Sequence, residues 1–349
     1  MEVINKTPVV ADLQVSSIEG TDRRYGLLTA KATYTVDERG HLELDSEAPY
    51  PLFEEDSPTV LGVFPSDAVP RRDPAFEVMV LGSVHGNGKS QVQVELSVGS
   101  VRRSLLVTGD RHWIGAGEAA RISDPVPFNH LPLNWTRAYG GAVACSIDAD
   151  SILDLEHPMN KYGRGFDAHK FAADVGQAFK APPGYPRLPP GWRRRLPNLE
   201  HPARPIRAWG DDPRPYCWAP IPLDAGVHLQ RAHDHMAATG QGMDEEAMLE
   251  MVYHRAHPDW IIPVPDEEAP VILKGMSKQP WRFSLPRLHI AADWAIGTKK
   301  GIHHLAPQVL MLLPEESRFY LVYRHFFTMQ TAPEVERSVR IRTEKGWKR

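Results

Sequence analysis

The sequence predicts a mainly β, α+β fold: an antiparallel β-rich scaffold that carries a proline-rich loop and helix insertion. Three observations support this. Apolar and polar residues alternate with a period of two in several segments. Turn-forming residues separate those segments at short intervals. No regular strand–helix alternation appears, which disfavours a doubly wound parallel sheet. The 349 residues are 42% hydrophobic and 24% charged, a balance that can bury a large core and, by length alone, allows two or three domains. No internal repeat is visible. A single unit over 1–349 is expected, with a β-rich part at 1–148, the insertion at 149–260, and a C-terminal β part at 261–349 that shares the core with the first.

From Tyr25 to Val36, Leu28, Ala30, Ala32, Tyr34 and Val36 alternate with Thr29, Lys31, Thr33 and Thr35. Asp37 to Gly40 supplies a turn, after which Leu42 and Leu44 resume the alternation. Phe76 to Val84 is expected to pair with Val92 to Val98, with the glycine-rich stretch between them as a hairpin tip. That stretch ends in Gly88-Lys89-Ser90, like a P-loop. The partner glycine, however, should stand at position 83, which is Ser83, and Gln91 to Val98 alternates as a strand instead of opening a helix. Without a helix N-terminus there is no set of free N–H groups to hold a phosphate, so no nucleotide is expected. Gly99-Ser100 then forms a two-residue loop into VRRSLLVTG.

Composition shifts near Asp148. Between Ala181 and Pro222 proline is dense, which excludes regular helix and central strand. Trp192, Trp209 and Trp218 stand within this stretch, and its apolar content predicts an ordered irregular loop packed on a sheet. Two helices are expected next. One spans Ala225 to Thr239; the other starts at the N-cap residue Asp244, has Glu245 and Glu246 in its first turn, sets Leu249, Val252 and Tyr253 on one face, and closes at His254 and Arg255. VILKG, WRFSL, QVLMLL and RFYLVYRHFF read as strands, the last two joined across Pro314 to Ser317.

The formal charge of -4 argues against a general nucleic-acid binder, and the short run Arg193 to Arg195 reads as a solvated loop. The N-terminal MEVINKTPVVADLQV lacks a signal-peptide pattern, and nowhere are there about 18 consecutive apolar residues, so a cytoplasmic location without a membrane partner is expected. Cys145 and Cys217, the only cysteines, form neither a disulfide framework nor a C-x-x-C pair, which fits a reducing compartment. His228, His233 and His235 are spaced by five and two, which does not align metal ligands on one helix face, and His303 and His304 point to opposite sides of a strand. There is no G-x-S-x-G elbow, and Glu54-Glu55-Asp56 and Asp211-Asp212 read as solvated loop acids. No catalytic residue, metal or cofactor is therefore expected.

Five strings are left over: MEVINKTP from Met1, GDRHW from Gly109, PVPFNHLPLNWTRAYGG ending at Gly141, NKYGRGF from Asn160, and LPNLEHPARPI from Leu196. Their order and spacing resemble a bacterial family, catalogued as a domain of unknown function, encoded beside type VI secretion spike genes. RFSLP from Arg282 and RFYLVYR from Arg318 resemble its closing strands, so the likeness covers nearly the whole chain. Two departures are Lys161-Tyr162, where many members have proline after the asparagine, and the stretch after Trp260, which lacks the family's A-P-x-D-Q phrase.

The resemblance implies a non-catalytic adaptor, or chaperone, that engages an effector and its PAAR or PAAR-like spike tip and promotes loading onto the VgrG trimer. An uncharacterised hydrolase and a structural part of the spike are the alternatives. Arg137, Tyr139 and Arg164 read first as structural, with Tyr139 packing and Arg137 paired with a carboxylate, and second as candidate partner-binding residues together with Trp192, Trp209 and Trp218, the tryptophans as core packing or as anchors. Gly140, Gly141, Gly163 and Gly165 read as structural turns.

Overall fold

The alternation after Tyr25 puts a long strand in the largest sheet. The computed structural model describes residues 2–17, 23–71, 73–191, 195–240, 242, 253–296, 298–330 and 337–344, and in it this strand spans Arg23–Val36. Across the sheet the order is Glu2–Asn5, Arg337–Glu344, His289–Ile296, Lys299–Leu313, Arg318–Gln330, Arg23–Val36 and Val10–Ser17. The sheet curls into a nearly closed, barrel-like form. Its pairs are mostly antiparallel, so the mainly β, antiparallel expectation holds. The turns at Asp37–Gly40 and Pro314–Ser317 join paired strands as expected.

The polar face of Arg23–Val36 does not meet water. Thr29, Lys31 and Thr33 are buried, because the chain from Tyr50 to Asp67 crosses over them and supplies partners. Lys31 Nζ donates to Asp67 at 2.5 Å and to the Pro51 carbonyl at 2.7 Å, and the Tyr50 N–H donates to Thr33 Oγ1 at 2.9 Å. Arg324 from the neighbouring strand donates to the Asp67 carbonyl at 3.0 Å. Burial lowers the Lys31 pKa against the pull of Asp67, and burial brings Arg324 down to about 10. A second buried group adjoins the first: Arg71 pairs with Glu77, and His254 reaches Asp73 at 2.9 Å and Glu77 at 3.4 Å. Burial works to raise the Glu77 carboxyl, but Arg71 and His254 more than offset it and hold it well below the usual range. Asp56, read as a solvated loop acid, instead accepts both arms of Arg255 at 2.7 Å.

Pairing of Phe76–Val84 with Val92–Val98 is not observed. Ala75–Val80 runs parallel to Val309–Leu312 and antiparallel to Ile261–Pro263, while Ser83–Lys89 pairs with Phe128–Pro132. From Phe76 to Val80 the chain is buried on both faces, and a two-stranded hairpin would have left such a strand with an open edge. The Gly-Lys-Ser stretch is therefore a corner between two sheets. The strand Gln91–Val98 does follow it, turning through Gly99-Ser100 into Val101–Thr108 as expected. Those two strands lie in a second, five-stranded sheet with Leu199–Glu200, Pro270–Lys274 and Trp281–Ser284.

One hydrophobic cluster gathers residues from Val9 to Ile341, among them Val78, Leu96, Trp135, Trp218 and Leu312. The proline-rich stretch packs into it at Tyr216–Ile221, where the Trp218 carbonyl accepts the Val80 N–H at 2.9 Å. The expected helix after Ala225 appears as a 3-10 turn, Gly226–Leu229, running into the α-helix Gln230–Thr239. The structure adds an α-helix at His169–Ala178. Of the helix expected from Asp244 to Arg255, residues 244–252 lie outside the described ones, while Tyr253, His254 and Arg255 are not helical, the last two being buried against Asp73, Glu77 and Asp56.

Candidate functional site

Strand Val101–Thr108 delivers the chain into GDRHW at the edge of the second sheet, where LPNLE returns beside it. The Thr108 N–H donates to the Asn198 carbonyl at 2.8 Å, and the Asn198 side-chain amide donates back to the Thr108 carbonyl at 2.9 Å and to Asp110 at 3.0 Å. The Asn198 N–H donates to the Arg137 carbonyl at 2.8 Å, which brings in a third string. Leu196 N–H reaches the Arg111 carbonyl at 3.1 Å, and Glu200 pairs with the Arg111 guanidinium while accepting the Ile206 N–H at 2.8 Å.

The fourth string docks through Tyr139–Gly140, which pairs in parallel with Arg164–Gly165. Fully buried Asn160 donates to the Trp135 and Tyr139 carbonyls at 2.9 and 3.0 Å. Gly140 has φ +136°, and a Cβ there would stand 2.1 Å from the Asn160 carbonyl oxygen, so both the dihedral and the close approach demand glycine. Gly141, Gly163 and Gly165 lie in the same paired turns.

Beside this hub opens a cleft of about 690 Å³, lined by Asp110, Arg111, His112, Trp113, Arg164 and Arg195 among others. Exposed Ile114 and Val126 form an apolar part of its lining. The charges are unequal. Arg111 is 9% exposed and pairs with Glu200, although its Nε has no partner. Arg137 and Arg164 lie 3.8 and 3.7 Å from Asp110, whose side chain is 71% exposed. Arg195 is exposed and, among the described residues, its side chain makes no hydrogen bond or ion pair. Two guanidinium groups thus share one carboxylate, and a third stands nearby without one. Burial lowers the Arg164 pKa, the neighbouring Arg137 and Arg195 add to this, and Asp110 opposes them. An arrangement of this kind binds anions, and the planar fork of arginine favours carboxylates held at two points.

A larger groove, about 1590 Å³, opens beneath the main sheet. Its charged residues Arg71, Asp73 and Arg324 are engaged by Glu77, His254 and Asp67, and its other charged lining residues, Asp266 and Glu267, are acidic, so the smaller cleft is the one where arginines lack carboxylate partners.

Of the residues singled out from sequence, Arg164 lines the cleft and Arg137 stands beside it, 3.8 Å from Asp110. Tyr139 is buried behind it and donates to Asp212 at 2.8 Å, so this acid is not a free loop carboxylate. Trp209 is half-buried and stacks edge-on against Trp113 at 5.2 Å. Trp218 has no exposed surface: it packs edge-on against Trp260 at 5.6 Å in the main core, which rules it out as an anchor in this conformation. Trp192 lies outside the described residues. The His228 ring nitrogens sit 2.8 Å from two carbonyl oxygens, which is a core role, and the His233 side chain is not described. Arg195, read as part of a solvated run, belongs to the cleft. Asp110, Arg111 and Asn198 stood inside strings already noticed, but nothing in the one-dimensional pattern said that those strings meet.

Residues 21–324 match the family described as an uncharacterized protein conserved in bacteria, DUF2169. The chain belongs to the DUF2169 family. In this DUF2169 chain the matched region includes the cleft and the four strings that build it. No curated protein and no solved structure matches it. Among the described residues, no helix of the DUF2169 chain is long and apolar enough to cross a membrane.

Proposed function

We propose that this chain is an adaptor of the type VI secretion apparatus: it binds an effector or that effector's PAAR-like region and promotes loading onto the VgrG spike. The order of the five strings supports this, through their likeness to proteins encoded beside spike genes. The observation that carries it is the hub itself. Four strings separated by tens of residues converge on Asn198 and Asn160, and they spend their backbone groups on one another, not on a reaction centre. What they leave for a partner is an open cleft with arginines and an apolar lining, the composition of a protein-recognition surface.

The test is co-expression with the product of the adjacent effector gene and with VgrG. The expected result is a soluble complex that survives size exclusion, and an effector that aggregates when expressed alone through its uncovered apolar surface. If no neighbouring product is retained and the purified protein turns over a hydrolase substrate, the enzyme alternative replaces the adaptor.

A further inference from the structure

Asp110 occupies its own cleft. Its carboxylate reaches Arg137 and Arg164 only at 3.8 and 3.7 Å, beyond hydrogen-bond length, although the Asn198 amide holds it at 3.0 Å. It is also 71% exposed. A carboxylate placed this way marks what the guanidinium groups accept, and it leaves them partly unsatisfied. The unpartnered Nε of Arg111, on a side chain nine-tenths buried in the cleft lining, and the free guanidinium of Arg195 point to the same shortage of negative charge.

We infer that the cleft receives an acidic segment of a partner protein, with its carboxylates on Arg195 and Arg164 and an adjoining apolar side chain against Ile114 and Val126. This rests on the adaptor reading and names the chemistry of the partner's segment. At about 690 Å³ the cleft falls within the roughly 300–1,000 Å³ of ordinary ligand pockets, too large for one small anion. The chain's formal charge of -4 leaves the rest of the surface without the basic field a nucleic-acid backbone needs. The apolar lining suits a peptide with mixed side chains. Asp110 then acts as an internal competitor: incoming carboxylates complete the arginine contacts that it makes only at long range.

The experiment measures binding of a fluorescent octaglutamate peptide to the full chain by anisotropy, with octaglutamine, oligothymidylate and inorganic phosphate as comparison ligands. Octaglutamate should bind, weaken with added salt, and resist displacement by phosphate. Arg195→Gln should weaken it about tenfold, the loss of one charge-assisted contact. Asp110→Asn keeps the shape and removes the competing charge, so it should tighten binding several-fold, an effect that a purely structural Asp110 would not produce. Thermal melting separates a misfolded variant from a binding defect, and Arg195, with no side-chain bond among the described residues, is the safer position to change.

Equal binding by wild type and Arg195→Gln, preference for oligothymidylate or phosphate, or no tightening in Asp110→Asn would each overturn the inference. Co-expression separates the two readings. If the effector is retained equally by wild type and Arg195→Gln, the cleft assignment fails and the adaptor stands. If octaglutamate binds as described while no neighbouring product is retained, the cleft assignment stands and the adaptor fails.

Discussion

Arg137 and Asn198 hold each other twice: the Asn198 N–H donates to the Arg137 carbonyl at 2.8 Å, and the Arg137 guanidinium donates to Asn198 Oδ1 at 3.1 Å. The Asn198 amide continues to Thr108 and Asp110, so one fully buried side chain closes three strings. Asn198→Ala strips these bonds and leaves the Thr108 carbonyl without its side-chain donor. We expect a loss of about 2–3 kcal/mol and a melting temperature lower by several degrees. A variant that melts like wild type would show that the hub is held by its backbone pairs alone.

The second asparagine makes a glycine obligatory. Gly140→Val places a branched carbon against the Asn160 carbonyl at a dihedral that β-branched residues avoid, and it should lower solubility and the melting temperature together. Pairing it with Asn160→Ala is informative, because the clash is with the Asn160 backbone. The double variant should not recover, and recovery in calorimetry would place the strain in the side chain.

Beneath the main sheet, Asp67 answers Lys31 and lies 3.9 Å from Arg324. Asp67→Asn leaves a buried ammonium uncompensated and should cost about 3–5 kcal/mol, whereas Lys31→Met together with Asp67→Leu should recover much of that loss, because removing both charges ends the desolvation penalty. Urea unfolding measures both. A mild single variant would mean that Lys31 is neutral in the folded protein.

Acid should weaken the fold before carboxylates titrate. Burial lowers His257 to about 4, with Asp259 opposing, and burial together with the charge of His325 brings His303 to about 4. Unfolded histidine takes its proton near about 6.5. The unfolded state therefore binds more protons between these values, and the stability present above about pH 6.5 is lost as pH falls toward 4. For His257 alone this is on the order of 3 kcal/mol. His254 has the opposite sign: burial opposes protonation, but Asp73 and Glu77 raise its pKa, so its contribution is complete below about pH 6.5 and lost as pH rises through the folded value. Chemical denaturation across pH 7 to about 4.5 should show a net decline, flattened in His257→Asn, and an unchanged slope in that variant would move the effect to other histidines.

Lys89 stands exposed at the corner between two sheets, so Lys89→Ala should leave melting unchanged, and calorimetry with ATP should register no heat of binding. A saturable heat abolished by this substitution would restore a phosphate site there.

The local elements were legible where a residue's neighbours in sequence decide its state. Tyr25 to Val36 shows its alternation, Arg318 to Phe327 is a near-continuous apolar and aromatic run, and Gly99 and Pro314 mark turns that need only local dihedrals. The helix His169–Ala178 was missed although Phe171, Ala172 and Val175 are spaced for one face, because the prolines that follow drew the whole region toward a loop reading. The buried charges were missed for a different cause. Lys31 in a strand reads as solvent-facing until the distant Asp67 is seen to cover it.

Sequence by itself determined the β-rich character, the turns, and the strings that carry the family likeness, since each depends on periodicity or on a few adjacent residues. Tertiary structure decided which strands pair, that Trp218 is core, and that Asp110, Arg111, Arg164 and Arg195 share one cleft. Strand pairing and charge clustering are contacts between residues far apart in the chain, and their energies depend on burial and distance that a linear pattern does not contain.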